Sequence, residues 1–289
     1  MKDLPEIVDK VLNEYINLFH HYLPETLEGL YVHGSIALEA FVNDSSDIDF
    51  ITVTNRRLLK EDSSALNKIH KTLQQMFQKP EMDGVYIVKD DIEKMDSSCK
   101  DENEMYAYFN NGELNYGNYF NFNPITWYLM KHKGIRIVGP EIALMISGPT
   151  TEVLRQYVLQ NMNTYWVGRL HSFEKSFDEA KHFPADMLDA EIEWSVLGVL
   201  RQYYTLKEGS IISKQHAGEY GLKHLPEEWH SLIREAMSIR SGTNGINSDS
   251  NEIRIKTTIK FMTYLIPLCN QLKIERHIHP LDTEIIGRR

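Results

Sequence analysis

The sequence predicts an α/β domain built on a mixed sheet, followed by an α-helical bundle domain. Three observations carry this. Over the first 140 or so residues, short apolar runs such as Leu30-Tyr31-Val32 and Phe50-Ile51-Thr52-Val53 alternate with segments of helical period. From about residue 150 the helical period is continuous. At the head of one strand stand two carboxylates, Asp47 and Asp49, shortly after Gly34-Ser35. The boundary is expected near 145–152, giving domains 1–149 and 150–289, with a cleft between them as the natural pocket.

In chain order, Ile7, Val8, Val11, Leu12 and Ile16 mark a helix over 4–20, with Pro5 in its first turn. Residues 29–33 form the first strand, Ile36 to Phe41 a short helix, Asn43 to Ser46 a loop, and 47–54 the second strand. Leu66, Ile69, Leu73 and Phe77 mark a helix over 63–77, with Ser63 or Ser64 as its cap. It ends at Lys79-Pro80, and Asp83 to Lys89 is a third strand. Residues 96–123 are aromatic without a clean period and read as a small hairpin or irregular surface, whose rings either pack inward or stack on a base or sugar. A helix over 124–133, a strand over 135–138 and a Gly139-Pro140 turn follow. Helices are then expected over 151–169, 186–206, 213–222, 226–239 and 252–275, with a loop over 241–250.

The chain has 289 residues, 42% apolar and 25% charged, a globular profile with room for a substantial core. No apolar run approaches the ~18 residues of a membrane span, and the N-terminus lacks a signal-peptide apolar stretch. Cys99 and Cys269 are in no metal-ligand spacing and fit a reducing cytoplasm. The net charge of −10 and the lack of a basic block argue against a nucleic-acid partner.

On a strand, alternate side chains share a face, so Asp47 and Asp49 point one way and Ile48 and Phe50 the other. Two carboxylates on one face repel unless a cation lies between them, and a hard ion such as Mg²⁺ suits oxygen donors. Gly34 permits close backbone approach, and Ser35 offers a hydroxyl and an N–H to a phosphate oxygen.

The run His33-Gly34-Ser35, then Asp47-Ile48-Asp49, with an acidic residue on a later strand, resembles the nucleotidyltransferase superfamily of DNA polymerase beta. It is closest to the aminoglycoside adenylyltransferases that modify streptomycin and spectinomycin. Asp83 to Ile92, the Ile137-Val138-Gly139-Pro140 turn, Arg201-Gln202-Tyr203-Tyr204, Glu208-Gly209 and Ser213-Lys214 extend the likeness over most of residues 25–240.

The resemblance implies a polymerase beta-like mixed-sheet domain and a helical domain that closes over nucleotide and substrate. It implies Mg²⁺-dependent transfer of AMP from ATP to a hydroxyl of a small cationic acceptor. Asp47 and Asp49 would hold metal, and Asp83 would be the base and help bind metal, with Glu81 as the nearest substitute. Gly34, Ser35, Lys214, Arg201 and Tyr204 would meet the nucleotide, unless Arg201 instead pairs with Glu191 or Glu193, and Glu191 would meet the acceptor or form a surface salt bridge. His33 would touch a phosphate or simply be a satisfied strand-end histidine. The chain departs from the family in having Asp83 where those enzymes have Glu, and in having no Trp between residue 83 and Trp127. The chain is read as a cytoplasmic monomer or weak homodimer. Transfer to a protein or another small acceptor, and a non-catalytic nucleotide-binding role, are the alternatives.

Overall fold

The computed structural model describes residues 4–43, 45–95, 101, 104–243 and 250–277. Asp44 in the first expected loop, Cys99, residues 244–249 of the expected 241–250 loop and the tail from 278 lie outside the described residues. The chain divides into two compact units, Met1–Thr150 and Thr151–Arg289.

The first unit is a six-stranded mixed sheet with helices on both faces. Its elements are α1 (Glu6–Tyr22), β1 (Leu27–Val32), α2 (Gly34–Ala37), β2 (Ile48–Thr54), α3 (Ser63–Met76), β3 (Met82–Val88), β4 (Tyr106–Asn110), β5 (Glu113–Gly117), α4 (Pro124–His132) and β6 (Ile135–Val138). The spatial order is β5-β4-β3-β2-β1-β6. Only the β2–β3 pair is parallel, because α3 carries the chain back between them.

Strand alternation sorts the two cores. Val32, Ile48, Phe50 and Tyr86 pack with α1 and α3 through Val8, Tyr15, Phe19, Leu66 and Ile69. Ile51, Val53, Val85 and Ile87 face the other way, onto Tyr119, Phe122, Trp127 and Met130. Polar groups buried in the first layer are paired: Tyr15 Oη lies 2.7 Å from Thr52 Oγ1, and His70 Nε2 lies 2.7 Å from Tyr86 Oη. Burial pushes His70 down to about 3, so the ring is neutral, and it stacks on Phe109.

Several expectations need correction. The short helix runs over Gly34–Ala37, one turn at the Gly-Ser itself, rather than Ile36 to Phe41. Neither Ser63 nor Ser64 caps α3; Asp62 stands at its N-cap without a capping bond to the helix, its carboxylate taken by Arg56 and the Leu59 N–H. The aromatic stretch is a hairpin, β4–β5, that extends the sheet. Tyr106, Phe109, Tyr119 and Phe122 are buried in the two cores, so those rings do not stack on a ligand; Phe120 is exposed.

The second unit is all helical: α5 (Thr151–Asn161), a π turn (Met162–Trp166), α6 (Val167–Lys175), α7 (Phe177–Ala180), α8 (Ala185–Glu208), α9 (Lys214–His224), α10 (His230–Arg240) and α11 (Asn251–His277). The helix expected over 151–169 is thus interrupted. Its π turn delivers Trp166 to the surface of α8 at Gly198, where a Cβ would fall 2.1 Å from the indole. α8 is the central helix, with Ile192, Val196, Val199, Leu200 and Tyr203 among its buried residues. Cys269 is buried and free, with burial pushing its thiol up to about 12, which suits a packing role.

Gly84 sets how closely β3 approaches β2, since a Cβ there would meet the Phe50 carbonyl oxygen at 2.0 Å. A backbone atom cannot swing aside. Gly84→Ala is therefore expected to destabilise the protein by about 3 kcal/mol or more, read as a fall in the urea midpoint.

Candidate active site

β1 ends at Val32, and the chain passes through His33 and turns at Gly34, φ +61°, into α2. The His33 N–H donates to the Asp49 carbonyl at 3.0 Å, which ties the turn to β2. A Cβ at residue 34 would fall 1.7 Å from Asp49 Oδ2. Only glycine lets that carboxylate lie against the turn, and the left-handed φ asks for glycine as well. Ser35 Oγ is buried with no hydrogen-bond partner, so it has capacity to meet a ligand oxygen. His33 is buried, and desolvation pushes its imidazole down to about 4. Its ring is therefore neutral at pH 7.

Asp49 on β2 stands directly beside Asp83 on β3 in the parallel register. Both share the strand parity of Ile51, Val53, Val85 and Ile87, so they continue that apolar face at its end. Asp47 lies two residues earlier, is exposed, and reaches Asp83 electrostatically. Asn111, at φ +52° in the turn between β4 and β5, donates its backbone N–H to Asp83 Oδ2 at 3.2 Å. Asp83 Oδ1 is buried with no hydrogen-bond partner. Burial, followed by the nearby Asp47, Asp49 and Glu81 carboxylates, raises Asp83 to about 6 despite the Asn111 bond. A carboxyl that titrates near the working pH is suited to take a proton. Glu81 is held by Lys79 at 2.9 Å.

Among the described residues, no three or more His, Cys, Asp or Glu side chains are grouped so as to hold a metal ion. Mg²⁺ takes one or two carboxylates and fills its remaining positions with phosphate oxygens and water. The crowded carboxylates and the orphaned Asp83 oxygen are the donor chemistry such an ion would use.

The other candidates lie on the second unit. Ser213 caps α9, accepting from the His216 N–H at 3.2 Å, and so places Lys214 in its first turn. Lys214 Nζ donates to Glu193 Oε2 at 3.0 Å and lies 4.5 Å from the centroid of the Trp194 ring. Arg240 approaches the other oxygen of Glu193 at 3.7 Å. Burial lowers the Lys214 pKa, Glu193 opposes that, and Arg240 and Arg201 add to the lowering. Arg201 and Lys214 are thus electrostatic neighbours. Tyr204 is tied to Ser210 by a 3.1 Å hydrogen bond and stands edge-on to Tyr220. Glu191 is apart from this group: it pairs with Arg169 and accepts from Ser195 Oγ at 2.9 Å.

Arg240 and Trp194 escaped the sequence reading, and so did the bond from Lys214 to Glu193. Glu193 and Trp194 sit on a helix whose pattern looks like ordinary bundle packing, and Arg240 is 26 positions beyond Lys214 (240 − 214). Charged residues within an otherwise apolar helix such as α8 were the one available signal.

Residues 166–264 match the family model of the aminoglycoside adenylyltransferase C-terminal domain. Over this stretch the chain is similar to the aminoglycoside adenylyltransferases. The fold agrees: the spectinomycin adenyltransferase AAD(9) from Enterococcus faecialis, solved with ATP and spectinomycin, superposes with a TM-score of 0.61. The match covers 90% of this chain and 99% of that one at 17% identity, a level at which it speaks for the fold. No curated protein sequence matches the chain. Among the described residues, no helix is long and apolar enough to cross a membrane.

The raised Asp83 pKa has a stability consequence. Between the ordinary aspartate value and about 6, the folded state binds more protons than the unfolded one, so stability falls as pH rises through that window. Asp83→Asn removes the penalty. In metal-free buffer its melting temperature is expected to exceed that of the parent above pH 6, with the gap closing as pH falls toward the ordinary aspartate range. A pH-independent gap would contradict the assignment.

Proposed function

We propose that the chain catalyses Mg²⁺-dependent transfer of AMP from ATP to a hydroxyl of a small cationic acceptor, an aminoglycoside of the streptomycin or spectinomycin type. The observation that carries the reading is the Asp49–Asp83 pair in register beside the Gly34 turn, in a chain whose helical unit matches the adenylyltransferase C-terminal family.

Asp83 accepts the proton of the acceptor hydroxyl. The oxygen attacks the α-phosphorus, the bond to the bridging α,β-oxygen breaks, and pyrophosphate leaves with that electron pair. Asp47 and Asp49 are the residues that would hold Mg²⁺, which neutralises charge on the phosphate oxygens when bound. Gly34 and Ser35 take up phosphate, with Ser35 Oγ as a donor not already engaged. On the helical unit, Lys214 and Arg201 supply positive charge to the nucleotide, and Tyr204 lines the same surface.

Glu191 is proposed to meet an acceptor ammonium, for which it would exchange its Arg169 contact. AAD(9) was solved with ATP and spectinomycin, which supports ATP as donor and a small hydroxylated acceptor here. The net charge of −10 favours a cationic acceptor and disfavours RNA or DNA.

The test is incubation with ATP, GTP or UTP, Mg²⁺ and a panel of aminoglycosides, with mass detection of a nucleotidylated product. ATP is expected to give the AMP adduct of at least one aminoglycoside. Asp83→Asn is expected to lower kcat by about 10²–10⁴-fold. Undiminished turnover by Asp49→Asn would overturn the catalytic reading, and an adduct formed only on a protein would replace the acceptor.

A further inference from the structure

Glu193 is a charged side chain with only 8% of its surface exposed, near the middle of α8. Leaving a carboxylate there is costly unless cations answer it. Two do, from different helices. Lys214 of α9 donates to Oε2 at 3.0 Å, and Arg240, the last residue of α10, approaches Oε1 at 3.7 Å. The Lys214 and Arg240 side chains are themselves only 17% and 13% exposed. The indole of Trp194, next to Glu193 in sequence, adds a ring face 4.5 Å from Lys214 Nζ. One carboxylate therefore gathers two cations that would otherwise repel, and fixes a lysine whose stem is ordinarily flexible.

We propose that Glu193 is a positioning residue, holding the Lys214 ammonium beside Arg240 as a paired phosphate-binding group for the nucleotide. The inference rests on the function proposed above, in which Lys214 serves ATP. Arg201 of α8 and Arg240 of α10 push Lys214 toward its neutral form, as burial does, while Glu193 opposes both. Without Glu193 the amine loses its proton at a lower pH, and a neutral amine is a poor partner for phosphate.

The experiment is the ATP KM of the full chain, with Mg²⁺ and a fixed acceptor, across about pH 7 to pH 9. The parent is expected to give a nearly flat profile. Glu193→Gln is expected to show a KM that climbs by about tenfold over that range, with kcat at saturating ATP within about twofold of the parent. Glu193→Asp keeps the charge with a shorter reach, so its profile stays flat while KM rises a few-fold at every pH. Melting curves establish that each variant is folded.

A Glu193→Gln effect of the same size at every pH, or a Glu193→Asp enzyme with the parent's KM throughout, would overturn the proposal; the Asp variant alone decides if the Gln variant does not fold. Lys214→Met separates the two levels of inference. If it leaves the ATP KM unchanged, the nucleotide role of Lys214 fails. If it raises KM while the Glu193 variants behave as described for overturning, only the role of Glu193 fails.

Discussion

The candidate site depends on one constraint, the parallel register that sets Asp49 directly beside Asp83. Neighbouring strands are about 4.8 Å apart, so two carboxylates in register on one face are close enough to oppose each other's ionisation. The surrounding chain answers this in part with Lys79, which is bound to Glu81 and feels Asp47 and Asp83. It buries one Asp83 oxygen without a partner, meets the other with a single backbone N–H from Asn111, and lets its pKa rise to about 6. Gly34 then brings the turn after β1 against the Asp49 carboxylate. Such an arrangement stores unfavourable electrostatics that a ligand can release, which is how functional sites commonly differ from structural ones.

Asp91 gives the contrast within the same unit. It is fully buried, yet its carboxylate takes hydrogen bonds from Arg57, Lys94, Tyr106 and the Val88 N–H. Burial alone would raise its pKa, but the Lys94 and Arg57 bonds outweigh that and the pKa is lowered. Trp127 joins the same corner through its Nε1–H to the Lys94 carbonyl at 2.6 Å. Asp91 is therefore a satisfied anchor that ties β3 to the hairpin beyond it. These aspartates, eight positions apart (91 − 83), shift in opposite directions because Arg57 and Lys94 hydrogen-bond Asp91, whereas Asp83 is desolvated beside other carboxylates.

The helical unit handles charge in a third way. Lys214, Arg201 and Arg240 are brought near one another with Glu193 among them, so the positive charge is held rather than neutralised across the surface. Glu191, two positions before Glu193 on the same helix, has a different partner in Arg169. A two-residue step on a helix turns side chains about 200° apart, which is why Glu191 and Glu193 have different partners.

Much of this was legible in the sequence. Strand alternation placed Asp47 and Asp49 opposite Ile48 and Phe50, and Gly34-Ser35 marked the turn that meets them, because those are local consequences of backbone geometry. The change of texture near residue 150 announced the helical unit. The sequence could not decide the pairing of Asp49 with Asp83, the Asn111 N–H that reaches Asp83 from a hairpin 28 positions away (111 − 83), or the bridge from Glu193 to Lys214 and Arg240. Those depend on strand register and helix packing between distant segments. Local preference does not encode them, since register is set by the tertiary fit of the whole apolar face.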